Sequence, residues 1–288
     1  MADSLSEARR ELALANRIVA NEGVVDAFGH VSMRHPSDPN RYLLARSLAP
    51  ELVSPDDFIE YDLDSQPIRE PGASQYAERV IHGEIYKARP DVNSVCHHHA
   101  PAFMPLLATR TDFVPVFALG TIGGEKPPFW DQRDEFGDTD LLVVKPAHGA
   151  SLARTLGQHW MVLMNRHGVT VAGKNVRECV YRSITACRNA DFQVRAMALG
   201  RPLDQFTPGE LDLCFGIISR TTGLDRSWEY WAMRLAKAEG GAVPMQRASG
   251  TAKAKTTAMR APARKGGVKK SAAKKTGKKA KKTKKKRR

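Results

Sequence analysis

The sequence predicts an α/β domain built in layers, and three observations carry that expectation. Short alternating apolar–polar segments, which suit strands, are interleaved with longer stretches of helical periodicity. Hydrophobic residues make up 42% of the 288 residues, enough for a sizeable core. The charge is also sorted along the chain. Of the 45 lysines and arginines, 19 lie between Arg247 and Arg288, a stretch without Asp or Glu. The other 26 bases face 31 acids, so the net +14 resolves into a globular part near −5 and one strongly basic tail.

Taken in order, residues 4–22 read as a first helix. Ala8, Leu12, Leu14, Ala15, Ile18 and Val19 form its apolar stripe, and Gly23 stops it. His30 to His35, Tyr42 to Ala45 and Phe58 to Leu63 alternate as strands between Pro/Asp/Ser turns. A second helix is expected from an N-cap at Ser74 to about Ala88, ahead of Pro90. Val92 to His99 follows as a strand, then a short helix after Pro101. Further strands are expected at Val114 to Leu119, Leu141 to Lys145, Met161 to Asn165 and Val169 to Ala172. A long amphipathic helix spans Val176 to Leu199, a helix pair fills 208–238, and Gly240-Gly241 marks the edge of the fold. The domain is thus residues 1–241. Residues 242–288 hold almost no large apolar side chain and are expected to be a disordered, Lys-rich tail that binds polyanions non-specifically.

Several classes fall away. No run of about 18 apolar residues exists, so no transmembrane helix is expected. Asp3, Glu7 and Glu11 near the start, with no apolar segment, argue against a secretory leader and for a cytoplasmic location. Cys96, Cys179, Cys187 and Cys214 form no C-x-x-C pair and read as reduced thiols. The acidic globular part gives no electrostatic reason to expect nucleic-acid binding.

The most informative stretch is Val95-Cys96-His97-His98-His99-Ala100-Pro101. On a strand, His97 and His99 share one face and His98 points away. Two imidazoles so placed can converge on a metal such as Zn, Mn, Fe or Co. A third ligand is needed, and His167 stands at a sharp strand–turn–strand point where a side chain projects from the sheet end. His82 and His30 compete for the place. Glu78, one turn before His82 on the second helix, is either a solvated carboxylate or one that ligates metal and shuttles a proton.

Gly29-His30-Val31-Ser32, Leu52-Val53-Ser54-Pro55-Asp56-Asp57, Glu78 with Arg89-Pro90-Asp91, His97-x-His99 and His167-Gly168-Val169 occur in an order that resembles the class II aldolase/adducin family over residues 8–235. The resemblance implies a three-layer α/β/α sandwich with a central, largely antiparallel sheet, and a homotetramer with sites at subunit interfaces. It makes His97, His99 and His167 ligands of one divalent metal ion per subunit. Glu78 becomes the catalytic acid/base and a fourth ligand, and His30, Ser32 and His82 become candidate substrate contacts. Sugar-phosphate aldolases of the family bind phosphate with an Asn where this chain has His30, and with small hydroxyl residues where it has Tyr76-Ala77. The His30 departure, the block His97-His98-His99-Ala100-Pro101 and the segment Pro128-Phe129-Trp130-Asp131-Gln132-Arg133-Asp134-Glu135-Phe136-Gly137-Asp138-Thr139 resemble the branch with decarboxylases of hydroxylated aromatic or pyridine dicarboxylates. A metal-dependent lyase is therefore expected, working through a metal-stabilised enolate on a small acidic, aromatic substrate. An aldolase, a non-haem iron oxygenase and a non-enzymatic adducin-like scaffold are the alternatives.

Overall fold

A computed structural model describes residues 4–69, 72–124 and 126–241. The expected Lys-rich tail, residues 242–288, lies outside the described residues.

The first helix, α1 (Ser4–Asn21), buries Leu12, Ala15, Ile18 and Val19, the stripe its 3.6-residue period sets on one side. Strands β1 (His30–Arg34), β2 (Arg41–Ala45) and β3 (Phe58–Asp62) follow, then α2 (Val80–Ala88), β4 (Ser94–His98) and the short α3 (Met104–Thr109). Next come β5 (Phe129–Trp130), α4 (Arg133–Phe136), α5 (Pro146–Leu156), β6 (Met161–Met164) and β7 (Gly168–Gly173). Three helices close the order: α6 (Val176–Met197), α7 (Pro208–Ile218) and α8 (Thr221–Ala238).

The seven strands form one sheet in the order β3-β2-β1-β4-β7-β6-β5. Every pairing is antiparallel except β5 with β6. Strand alternation sends Leu43 and Ala45 into one core with α1, α6 and α8, and Tyr42 and Leu44 into a second core with α2 and α5. Two apolar layers on opposite faces of one sheet make a three-layer α/β/α sandwich, as expected. The central pair β1–β4 sets His30 directly opposite His97.

The structure corrects three local expectations. Val114 to Leu119 does not enter the sheet. Its backbone bonds side chains of α6 instead: Val114 N–H donates to Gln193 Oε1 (3.0 Å) and Val116 N–H to Asn189 Oδ1 (2.8 Å). Leu141 to Lys145 is a loop rather than a strand. The helix placed after Ser74 starts later, as a 3-10 turn at Ala77–Arg79 that leads into α2.

Candidate metal centre

Three elements deliver four electron-pair donors to one point. His97 and His99 come from β4 and the residue just beyond it, on the face that looks toward α2. His167 comes from the three-residue connection between β6 and β7. There Arg166 adopts a positive φ of 56° and the His167 N–H closes the turn onto the Met164 carbonyl at 3.0 Å. Gly168 makes that approach feasible. A Cβ at this position would lie 2.4 Å from the His98 carbonyl oxygen and 2.6 Å from His99 Cδ2. Only glycine lets the hairpin lie this close to the histidine strand. Glu78 arrives from the kink before α2, where φ −91° and ψ 19° break the helical run and tip its carboxylate inward.

Three of the donor separations fit a shared cation. His97 Nε2 is 3.0 Å from His99 Nε2 and 3.5 Å from Glu78 Oε2, while His167 Nε2 is 3.4 Å from Glu78 Oε1. Ligand atoms about 2.0–2.2 Å from a shared cation lie roughly 3.0–3.5 Å from one another, which matches these separations. All four ligand atoms lie within 4.8 Å of one another. The three rings sit 4.8–5.1 Å apart, centroid to centroid.

Electrostatics agree with the distances. Burial, then the neighbouring His97 and His167, lowers His99 to about 4, and burial likewise lowers His97. Neutral imidazole is the ligating form. Burial alone would raise Glu78, but hydrogen bonds and charge from His167 and His97 outweigh it and hold the carboxyl well below its usual range. Three imidazole nitrogens and a carboxylate aimed at one buried point form a donor set that fits a divalent metal. His97 Nδ1 reaches Thr170 Oγ1 at 3.1 Å, the kind of outer contact that fixes a ligand's tautomer. Thr170 lies opposite His97 in the β4–β7 register, so a correct strand pairing was the signal that could have found it. The other contact that sequence reasoning missed is Val143, whose N–H bonds Glu78 Oε1.

The remaining candidates lie elsewhere. His30 is beside the cluster, its ring 5.5 Å from that of His97, but it contributes no atom to the group of four. His82 and Ser32 are fully buried behind it and bonded to each other at 2.6 Å. The rest of the aromatic and charged segment is used for packing. Trp130 donates to Ser151 Oγ at 2.9 Å inside the α5 core, Asp131 pairs with Arg133 and Asn165, and Phe136 lies against His148.

Known proteins with this pattern are found by both sequence and fold. The model for the class II aldolase and adducin N-terminal domain matches residues 10–194. The decarboxylase tropJ of Talaromyces stipitatus is 35% identical over 195 residues, 63% of this chain and 73% of that protein. The 3,4-dihydroxyphthalate decarboxylase of Arthrobacter keyseri is 26% identical over 219 residues, 71% of this chain and 84% of that protein. Among solved structures, an aldolase II superfamily protein from Pseudomonas syringae superposes with a TM-score of 0.70 at 20% identity, covering 83% of this chain and 95% of that one. A domain match over most of the folded residues, a shared three-layer fold and the motif order agree: the chain belongs to the class II aldolase/adducin family.

Proposed function

We propose that the protein is a divalent-metal-dependent carbon–carbon lyase that decarboxylates a small hydroxylated aryl or heteroaryl carboxylate. The observation that carries this reading is the convergence of His97, His99, His167 and Glu78 on one point. These four residues would hold one Zn, Mn, Fe or Co ion. When bound, the cation supplies Lewis acidity for the negative charge that develops as the carbon–carbon bond breaks.

The chain's own residues do the rest. Glu78 takes up the substrate's hydroxyl proton on Oε2 and returns it to carbon after CO2 departs, and the oxygen left as an anion regains a proton from water. In balance, the carboxylate carbon leaves as CO2, its bonding pair stays on the ring carbon, and one proton replaces it. The Val143 N–H holds the other oxygen, Oε1, in place.

Two observations favour an unphosphorylated substrate. The Tyr76 ring packs on His30 at 4.5 Å, and its hydroxyl is committed to the Leu48 carbonyl, so Tyr76 offers phosphate no free donor. The relative at 35% identity is a decarboxylase. Assaying metal-loaded protein against hydroxy-aryl carboxylates for CO2 release tests the reading. Inhibition by phosphoglycolohydroxamate without CO2 release favours a sugar-phosphate aldolase instead.

A homotetramer completes the proposal. Among the described residues, Leu213 and Ile217 of α7 are 71% and 61% exposed, and Leu199 is 78% exposed, apolar surface of the kind subunit contacts cover. Light scattering on the eluted protein checks the mass. The four free cysteines fit a reducing cytoplasm. No helix among the described residues is long and apolar enough to cross a membrane.

A further inference from the structure

Behind the cluster runs a hydrogen-bond chain that the reaction scheme does not use. His30 Nδ1 lies 2.7 Å from His82 Nε2, His82 Nδ1 lies 2.6 Å from Ser32 Oγ, and Ser32 Oγ lies 2.7 Å from the Tyr86 hydroxyl. Ser32 and His82 are 0% exposed, Tyr86 1% and His30 3%. Strand and helix periods build this line. His30 and Ser32 are two apart on β1 and face α2, while His82 and Tyr86 are one turn apart on α2 and face the sheet.

The protons in such a chain can run in only one direction. Among the described residues the Tyr86 hydroxyl has Ser32 Oγ as its side-chain hydrogen-bond partner, so that oxygen is the acceptor for the phenol's own proton. Leaving that proton unpaired in the core would forfeit a buried hydrogen bond. Ser32 has then accepted once and donates its hydroxyl proton to His82 Nδ1. A neutral imidazole carries one N–H, so His82 keeps its proton on Nε2 and donates it to His30 Nδ1. His30 is left with its proton on Nε2, for which no side-chain partner is found among the described residues, on a ring 5.5 Å from that of His97.

We propose that Tyr86, Ser32 and His82 are positioning residues that lock His30 in its Nε2–H tautomer, so that it offers a fixed N–H donor to an anionic substrate oxygen beside the cluster. The opposite tautomer would present a lone pair and repel a carboxylate or phenolate. The chain therefore selects for anionic oxygen in a place where the neighbouring Tyr76 provides no free donor. The substrate half of the proposal rests on the lyase reading; the tautomer half does not.

The test is histidine ring nitrogen-15 NMR on the metal-free full chain, with His30 assigned by loss of its signals in His30→Gln. His30 is expected to show an unprotonated Nδ1 and a protonated Nε2, with the same pattern at His82. In Ser32→Ala, where His82 Nδ1 loses its donor, the His30 signals are expected to shift toward a tautomer average. A proton on His30 Nδ1 in the unsubstituted chain overturns the proposal, and that spectrum is decisive even if the variant fails to fold. An unchanged His30 pattern in folded Ser32→Ala overturns it as well. A chain that binds no metal at all would refute the lyase reading, while the His30 tautomer would still be read from the same spectrum.

Discussion

The backbone N–H of Val143 donates a 2.9 Å hydrogen bond to Oε1 of Glu78, 65 residues away in sequence. A loop residue thereby sets the angle at which the carboxylate meets His97 and His167. The bond needs only an acceptor oxygen, which an amide also has. Glu78→Gln is therefore expected to fold with near-normal stability while turnover falls roughly 10²- to 10⁴-fold, the span typical of losing a general acid/base. Thermal unfolding and CO2 release measured on the same preparation check both halves. Full turnover in this variant removes Glu78 from the chemistry.

Gly168 is expected to matter more to the site than to the fold. An added methyl would have to push the His167 hairpin away from His98 and His99, with contacts of 2.4 and 2.6 Å to relieve. Overpacking of this kind costs about 1–3 kcal/mol, and most of the displacement falls on His167. Gly168→Ala should lower metal affinity at least about tenfold, the effect of about 1.4 kcal/mol, as read by competition with a chelating dye. Unchanged affinity contradicts delivery of His167 by this close approach.

Acid is expected to destabilise the metal-free protein from neutral pH downward. Burial holds His98 at about 3 and His99 at about 4, against an ordinary 6.5. The unfolded chain therefore binds more protons than the folded one below that value. The stability these neutral rings permit is complete above pH 6.5 and is lost as the pH falls toward their folded values. Depression of Glu78 acts in the same direction at still lower pH. Urea midpoints should be lower at about pH 5 than at about pH 7.5. A midpoint that rises on acidification contradicts the burial of these histidines.

The basic tail is expected to be separable from the site. We propose that residues 242–288 tether the protein to polyanions. Deleting them should abolish salt-sensitive retention on heparin or DNA and leave CO2 release unchanged. Retention that survives the deletion moves the basic surface into the folded domain.

Much of this was legible in the chain because two local rules sufficed. Strand alternation places His97 and His99 on one face regardless of the rest of the fold, and an apolar strand–turn–strand run projects His167 from a sheet end. What escaped depends on tertiary partners. The Leu141 to Lys145 run is apolar enough to pass for a strand, yet its backbone bonds side chains, Val143 N–H to Glu78 and the Leu142 carbonyl to Gln132. The Val114 to Leu119 segment has strand composition, but Gln193 and Asn189 of α6 satisfy its backbone, so it never joins the sheet. Two-residue β5 is too short for any periodicity to show. In α5, Pro146 at the start was a usable signal, but Gly149 within the helix obscured it. The direction of the His30–His82–Ser32–Tyr86 chain depends on Tyr86, which lies 54 residues from the serine it meets.

Metal content and ligand identity, measured together, bear most directly on the convergence of His97, His99, His167 and Glu78. The full chain, loaded with zinc or iron and desalted, should carry about one ion per subunit. X-ray absorption should report imidazole nitrogens and a carboxylate oxygen at about 2.0–2.2 Å, and His167→Ala should lose most of the ion. An ion-free protein after gentle purification and reloading, or one that keeps its full complement in His167→Ala, would contradict a metal centre built on these residues.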